Sequence, residues 1–468
     1  MQVRTRLEPA PSGSIHVGNA RTGLFNWMFA RHHDGAFVLR IADTDAARAT
    51  EENYQAVLAD LKWLGLHWDE GPDIGGPHGP YRQSERHELH RDWARKLIDA
   101  GFAYEDRSTA EEVDVERKRA QSEGRRPDHR ALAERAAGNG GPASVRFAVP
   151  MDRTITFHDE VLGEVSTDLG RTPDFVILRA DGSPTYMLAV TVDDVAMEIS
   201  HIIRGNDLVA STARQLLLRE AMGVEQMPVF AHLPLIVDDK GKPLSKRWGD
   251  VSVRAYRDQG FLPEAMLNYL ALLGWSLDDH TNIFPIDEAI AAFDLGRVNR
   301  NPAAFDVTKL EWVNGHYIRA KSPNEVAEDL VPFCVAEGLP ADSDEGRAIL
   351  ARVAPLLTER MKRLTEAPPM IRFLFEDVSP DTKAAKVLEG QGDYLTEVAD
   401  ALGAIEKWTV AEIEGALRAL AERRELKPKQ AFQPIRAAVT GTLVSPPLFE
   451  SLEVLGKDKT LERIRRAS

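Results

Sequence analysis

The sequence has almost no cysteine, no surplus of positive charge and no long hydrophobic run. Cys334 is the single cysteine among 468 residues. No intramolecular disulfide can form, and no cysteine cluster can hold zinc. Such sparing use fits a reducing cytoplasm, and a cytoplasmic location is expected. The longest apolar stretch, "AMLNYLALLGW" (265–275), falls short of the ~20 residues a membrane helix needs, so no membrane partner is expected. The first residues read as a charged strand, not as a signal peptide. Acidic side chains outnumber basic ones, giving a net charge of −15. Charge alone therefore argues against nucleic acid, whose phosphates attract basic proteins. An acidic body can still carry a local basic face, which leaves RNA binding open.

What is present suits a soluble globular protein with sizeable cores, at 43% hydrophobic and 28% charged residues. The length predicts about three to five domains. "VRTRLE" (3–8) alternates, with Val3, Thr5 and Leu7 facing one way and Arg4, Arg6 and Glu8 the other. A turn rich in Pro, Gly and Ser follows, and "NARTGLFNWMFARHH" then reads as a helix. "AFVLRI" (36–41) is a second strand, and residues 51–66 form an amphipathic helix through Tyr54, Val57, Leu58, Leu61 and Leu64. This order predicts a parallel α/β sheet.

Residues 106 to about 143 are charged, rich in Arg, Glu and Ala, and end in "AAGNGGPAS", the pattern of an insertion with a flexible exit. "ASVRFAVP", "TITFHD", "FVILRA" and "TYMLAVTV" then read as strands, as do "EISHIIRG" and "MPVFAHLPLIV" around a helix at 210–222. Beyond about 320 the chain turns helical. Ser322, Pro323 and Glu325 make a capping box with proline at the first helical position. Thr409 and Glu412 offer another, with Trp408 and Ile413 as a hydrophobic staple. There are no internal repeats.

Two short stretches could carry chemistry. In "PSGSIHVGNA", Gly13 and Gly18 allow close backbone approach, and a helix N-terminus presents N–H groups to an anion. His16 could then reach a phosphoryl oxygen. Alone, such a turn is more often purely structural. In "GKPLSKRWGD" (241–250), Ser245, Lys246 and Arg247 sit on a Gly/Pro-bounded loop, where lysine can stabilise charge on a transferring phosphate. Alone, this is a solvated basic loop.

As a pair, H-x-G and L-S-K-R resemble the signature of class I aminoacyl-tRNA synthetases. "FNWMFARHHDGAFVLRIADTD", "WLGLHWDEGP", "GPYRQSER", "DGSPTYMLAVTVDD", "HIIRGND", "FLPEAMLNYLALLGWS" and "KLEWVNGHYI" resemble glutamyl-tRNA synthetase, along essentially the whole chain. The resemblance implies ATP-dependent activation of glutamate, with magnesium accompanying ATP, and transfer to tRNA-Glu. Activation in this family generally needs tRNA. It also implies an α/β Rossmann-type catalytic domain with an acceptor-binding insertion, a stem-contact region and two all-α anticodon-binding domains.

The expected segments are 1–105 and 186–240 for the catalytic domain, 106–185 for the insertion, and 241–322 for the stem-contact region. The anticodon domains are expected at 323–378 and 379–468. His16, Lys246 and Arg247 match the catalytic positions. Gly13, His16, Gly18, Asn19, Ser245 and Lys246 match those that bind ATP. Arg6, Glu8, Ala10, Ala42, Tyr186, Val190 and Arg204 fall at the amino-acid pocket, and Arg360 matches an anticodon-reading arginine. No zinc is expected, since the insertion has no cysteine. A monomer is expected.

The pocket departs from the family. Glu8 and Ala10 replace alanine and serine, and Ala42 replaces the glutamate that holds the substrate ammonium. Val190 replaces an asparagine and Asn206 a glutamate, while Pro243 takes the place of the first lysine before L-S-K-R. The alternatives are a paralogue charging a different or modified amino acid and a non-catalytic tRNA-binding paralogue. The retained His16, Lys246 and Arg247 argue against a dead copy. A small-molecule adenylyltransferase would have no use for the helical half.

Overall fold

The computed structural model describes residues 2–44, 49–244 and 251–468. It divides into two compact units, residues 1–255 with 266–306 and residues 256–265 with 307–468.

The first unit opens with strand β1 (Arg4–Leu7), helix α1 (Val17–His32), strand β2 (Ala36–Leu39) and helix α2 (Glu51–Trp63). β1 and β2 pair in parallel, with Leu7 opposite Leu39. The predicted alternation of β1 holds, but every residue of the strand is buried. Thr5 donates to the Asn26 carbonyl of α1, while Arg4 and Arg6 face an ion-pair network on the other side.

Helix α3 (His87–Asp99), strand β3 (Ala103–Asp106), helices α4 (Ala110–Ser122) and α5 (His129–Arg135), and strand β4 (Ser144–Phe147) follow. Thr109 and Glu112 close a capping box on α4. Next come strands β5 (Thr154–Asp159), β6 (Gly163–Asp168) and β7 (Phe175–Leu178), then helix α6 (Tyr186–Ala196), strand β8 (His201–Gly205), helix α7 (Val209–Ala221), strand β9 (Val229–Leu233) and the short strand β10 (Ile236–Val237). β10 pairs with β11 (Ala303–Ala304). β8, β9 and β5 run parallel, whereas β6 joins β5 antiparallel, and β3–β4–β7 form a separate antiparallel sheet. The sheets are thus mixed where an all-parallel sheet was expected. β1 lies next to β8, tied by the Ser200 N–H on the Arg4 carbonyl at 3.0 Å.

The stretch "TYMLAVTV" is helical, contrary to the strand reading. Leu188, Ala189, Val190, Thr191, Val192, Asp193 and Asp194 are all buried. A helix covered nearly all round has no polar face, so its sequence lacks a 3.6-residue period, and β-branched residues then mimic a strand.

The second unit is helical among its described residues. Helix Pro323–Ala336 carries the expected capping box of Ser322 and Glu325. Thr409 caps helix Val410–Arg423, and Trp408 donates its indole N–H to the Leu452 carbonyl.

Candidate active site

A cleft of about 640 Å³ opens in the first unit, at the C-terminal ends of β1 and β8 and the N-termini of α1 and α6. β1 turns to β2 on one side and abuts β8 on the other. Open α/β sheets bind ligands at such a switch point. Arg6, Glu8, Ala10, His16, Gly18, Asn19, Ala42, Tyr186 and Arg204 all border the cleft. Val190 does not; it is fully buried on α6. Gly13 and Asn206 also lie outside the lining.

Gly13 has φ +126°, a conformation that L side chains rarely adopt, which explains glycine at this turn. His16 is the N-cap of α1, and its Nδ1 accepts from the Gly18 N–H at 3.0 Å. The neutral ring therefore carries its proton on Nε2. A Cβ at position 18 would come within 3.2 Å of that Nδ1. The Val17 N–H donates to the Val251 carbonyl at 3.1 Å. The N–H groups of Val17 and Gly18 are thus engaged and do not stand open to an anion.

Ser245, Lys246 and Arg247 lie outside the described residues. The described residues before and after them are hydrogen-bonded. The Leu244 N–H donates to the Ile236 carbonyl at 3.0 Å, and the Val253 N–H to the Ile15 carbonyl at 2.8 Å. Pro243 and Leu244 border the cleft.

Beneath the cleft lies a buried array of charges. Arg6 holds Asp194 through Nε at 3.1 Å and Nη2 at 3.3 Å. Arg40, fully buried, donates to Asp194 at 2.7 Å and to Glu8 at 2.8 Å. Burial works to lower the Arg40 pKa, but Glu8, Asp194 and Asp193 outweigh it and hold the group charged. Burial likewise works to raise Asp194, and Arg6 with Arg40 keeps it far below the carboxylate range. Glu8 takes a second bond from Gln83 Nε2 at 2.8 Å. Its partners are Arg40 and Gln83, not the neighbouring Arg4 or Arg6. Arg4 instead pairs with Glu70 at 2.7 Å.

Arg204, on β8, donates through Nε to His232 at 3.1 Å and through Nη2 to Thr212 at 2.8 Å, leaving Nη1 without a hydrogen-bond partner. Arg21 also borders the cleft, with its guanidinium bonded to the carbonyls of Leu273 and Pro234. Burial pushes its pKa down to about 10, which still leaves it a cation at neutral pH.

Sequence reasoning missed Arg21, Arg40, Gln83, Asp193, Asp194 and His232. The signal available was "VDDVA": two adjacent acids inside an apolar stretch imply buried carboxylates that need cationic partners. Arg360 is exposed beyond helix Asp344–Leu357 in the second unit. Among the described residues no group of three or more His, Cys, Asp or Glu is arranged to hold a metal.

A class I synthetase layout accounts for this combination of switch-point cleft and histidine-capped helix. The family model for tRNA synthetases class I (E and Q), catalytic domain, matches residues 2–312, and that for an anticodon binding domain matches residues 325–468. The glutamate–tRNA ligase of Mycobacteroides abscessus is 46% identical, covering 100% of this chain and 96% of its own. That of Nocardioides is 44% identical over 99% and 98%. A crystal structure of the glutamate tRNA ligase from Elizabethkingia meningosepticum, in complex with its amino acid, superposes with a TM-score of 0.85 at 31% identity, covering 100% of this chain and 99% of that one. The chain belongs to the glutamate–tRNA ligase family.

Proposed function

We propose that this protein activates glutamate with ATP and transfers it to tRNA-Glu. An oxygen of the α-carboxylate attacks the α-phosphorus of ATP, the bond to pyrophosphate breaks, and glutamyl-adenylate forms. A hydroxyl of the terminal adenosine then attacks the acyl carbon and releases AMP. Neither step needs a covalent enzyme intermediate, so the work of the site is positioning and charge stabilisation.

The observation that carries this reading is the pair of buried arginines at one cleft wall, opposite the histidine-capped helix. Arg204 borders the cleft with Nη1 unpartnered though buried, and Arg6 keeps N–H groups on Nη1 and Nη2 beyond its two bonds to Asp194. Cations so placed suit the carboxylate groups of glutamate, with Tyr186 beside them at the start of α6. Glu8 is the carboxylate nearest to hand for the ammonium. Ala10 and Ala42 leave room there.

His16, Gly18 and Asn19 take the nucleotide at the N-terminus of α1, above the turn at Gly13. Ser245, Lys246 and Arg247 serve the phosphates, and Arg21 adds to the positive field. Magnesium enters with the phosphates of ATP as part of that substrate. The segments 1–105 and 186–240, 106–185, 241–322, 323–378 and 379–468 serve as catalytic, acceptor-binding, stem-contact and two anticodon-binding regions, with Arg360 at the anticodon. ATP–pyrophosphate exchange across the amino acids, with and without tRNA, tests the reading. Exchange with glutamate in the presence of tRNA is expected; exchange only with another amino acid, or none, would overturn it.

A further inference from the structure

Arg204 and His232 are direct partners on the neighbouring parallel strands β8 and β9. His232 is wholly buried, and its ring lies stacked on Phe230 at 6.1 Å between centroids. Its Nδ1 meets Asp159 Oδ2 at 2.6 Å. Asp159, at the end of β5, also accepts N–H groups from Val161 at 3.0 Å, Leu162 at 2.8 Å and His232 at 3.1 Å. A buried carboxyl collecting that many donors is ionised, so the histidine proton facing it sits on Nδ1. The other nitrogen, Nε2, must then be the acceptor that Arg204 Nε and the Thr212 hydroxyl approach, at 3.1 and 3.2 Å. The chain of donors runs in one direction only. Burial, with Arg204 beside the ring, also keeps His232 below the ordinary histidine range despite Asp159.

We propose that His232, oriented by Asp159, is a positioning residue that fixes the Arg204 guanidinium at the cleft wall in the orientation that receives the carboxylate of the amino-acid substrate. This rests on the reading of Arg204 given above. An arginine side chain has several rotatable bonds, and ordering it on binding costs affinity. A neutral imidazole acceptor removes that cost in advance, without offering a second anion to compete with the substrate.

Three variants and one direct measurement test this, using the full-length protein with tRNA in pyrophosphate exchange. Arg204→Ala tests the underlying reading; an unchanged KM for glutamate would remove the site assignment itself. His232→Asn retains a donor near Asp159 but does not reach Arg204. It should raise the glutamate KM about 10- to 100-fold, the effect of a hydrogen bond to a charged group. The KM for ATP and kcat should stay within about twofold. His232→Gln sets an amide oxygen near the place of Nε2 and should restore most of the lost affinity. If Arg204→Ala raises the KM and His232→Asn does not, the positioning role is refuted. It is equally refuted if His232→Gln is as impaired as His232→Asn. In the unaltered protein, nitrogen NMR of labelled histidine should show His232 neutral with its proton on Nδ1 at pH 7; a proton on Nε2 overturns the inference without any variant.

Discussion

Replacing Glu8 by alanine separates two roles this carboxylate can play. Glu8 borders the cleft with its side chain 9% exposed, and it binds Arg40 and Gln83 through one oxygen each. A carboxylate has about four acceptor positions, so roughly two remain for an ammonium group. Among the described lining residues the other carboxylate is Asp207. If Glu8 receives the substrate ammonium, its loss removes one half of a charge-assisted pair. Such truncations cost about 2–5 kcal/mol. The cleft is open enough to hydrate an ammonium, so the low end applies, ~2–3 kcal/mol, or roughly 30- to 150-fold in KM for glutamate. The fold should lose less. Arg40 keeps Asp194 at 2.7 Å, so the cost falls well under the ~3–5 kcal/mol of a fully stripped buried ion.

The second half of the experiment moves the charge. The Ala42 N–H donates to the Pro9 carbonyl at 3.1 Å, which ties position 42 to the residue next to Glu8. Ala42→Glu in the Glu8→Ala background should therefore restore glutamate affinity, measured as the KM in pyrophosphate exchange with tRNA present. Asp207→Ala serves as the control and should leave that KM within about twofold of the unaltered protein. An unchanged KM in Glu8→Ala would reduce Glu8 to a partner of Arg40, and a lowered KM would make it a block to glutamate. Loss in Asp207→Ala alone would transfer the role to that residue.

Lys246→Ala should abolish adenylate formation while tRNA binding persists, because its charge is needed mainly in the transition state; removing such a donor costs roughly 2.7–4 kcal/mol, and unchanged single-turnover activation would refute the role. Val190→Asn should destabilise the catalytic unit by about 1–3 kcal/mol, through an amide buried without a partner, and leave the glutamate KM unmoved; a change in amino-acid selectivity with unchanged melting would place Val190 in the pocket after all. His201 packs against Phe29, and burial with His33 beside it lowers its pKa from 6.5 to about 4. The unfolded chain takes up this proton first, so stability is full above about pH 6.5 and falls as pH drops toward 4, by ~1–2 kcal/mol at pH 5. His201→Gln should lose that slope between pH 7.5 and 5 in chemical denaturation, and parallel profiles would refute it.

Local signals were legible in the sequence. β1 follows from alternation, β2 from a short apolar stretch, and the turn between β1 and α1 from its prolines and glycines. The cap at Ser322 is written in four consecutive residues and is present as read. α6 was not legible, because burial on all sides erases the period that distinguishes helix from strand. Val190 lies outside the cleft lining for a related reason: lying near Tyr186 along the chain does not say which way a residue points on a helix. The partner of Glu8 was missed because Arg40 comes from another strand and Gln83 from beyond α2. Alternation places Arg6 and Glu8 on one face, but it cannot say what approaches that face from Asp194, far along the chain.

The ion pairs under the cleft are hard to explain by stability alone. Well-packed apolar residues often do as well as a buried ion pair, or better. Their arrangement makes sense for binding. Arg6 is held through Nε and Nη2 by Asp194, and Arg204 through Nε and Nη2 by His232, Thr212 and the Leu208 carbonyl. In both, Nη1 takes no part in these bonds, and both residues border the cleft. Asp194 is shared with Arg40, which in turn holds Glu8. One cationic and one anionic position at the cleft, Arg6 and Glu8, are thereby set by one connected array, and Arg204 by a separate set of bonds. Charges fixed in this way need not reorganise when an amino acid with two carboxylates and one ammonium enters, and their spacing selects for that distribution of charge. Weakening any shared member should then change several positions at once. Asp194 joins Arg6 to Arg40, so it is the residue at which such coupling is strongest.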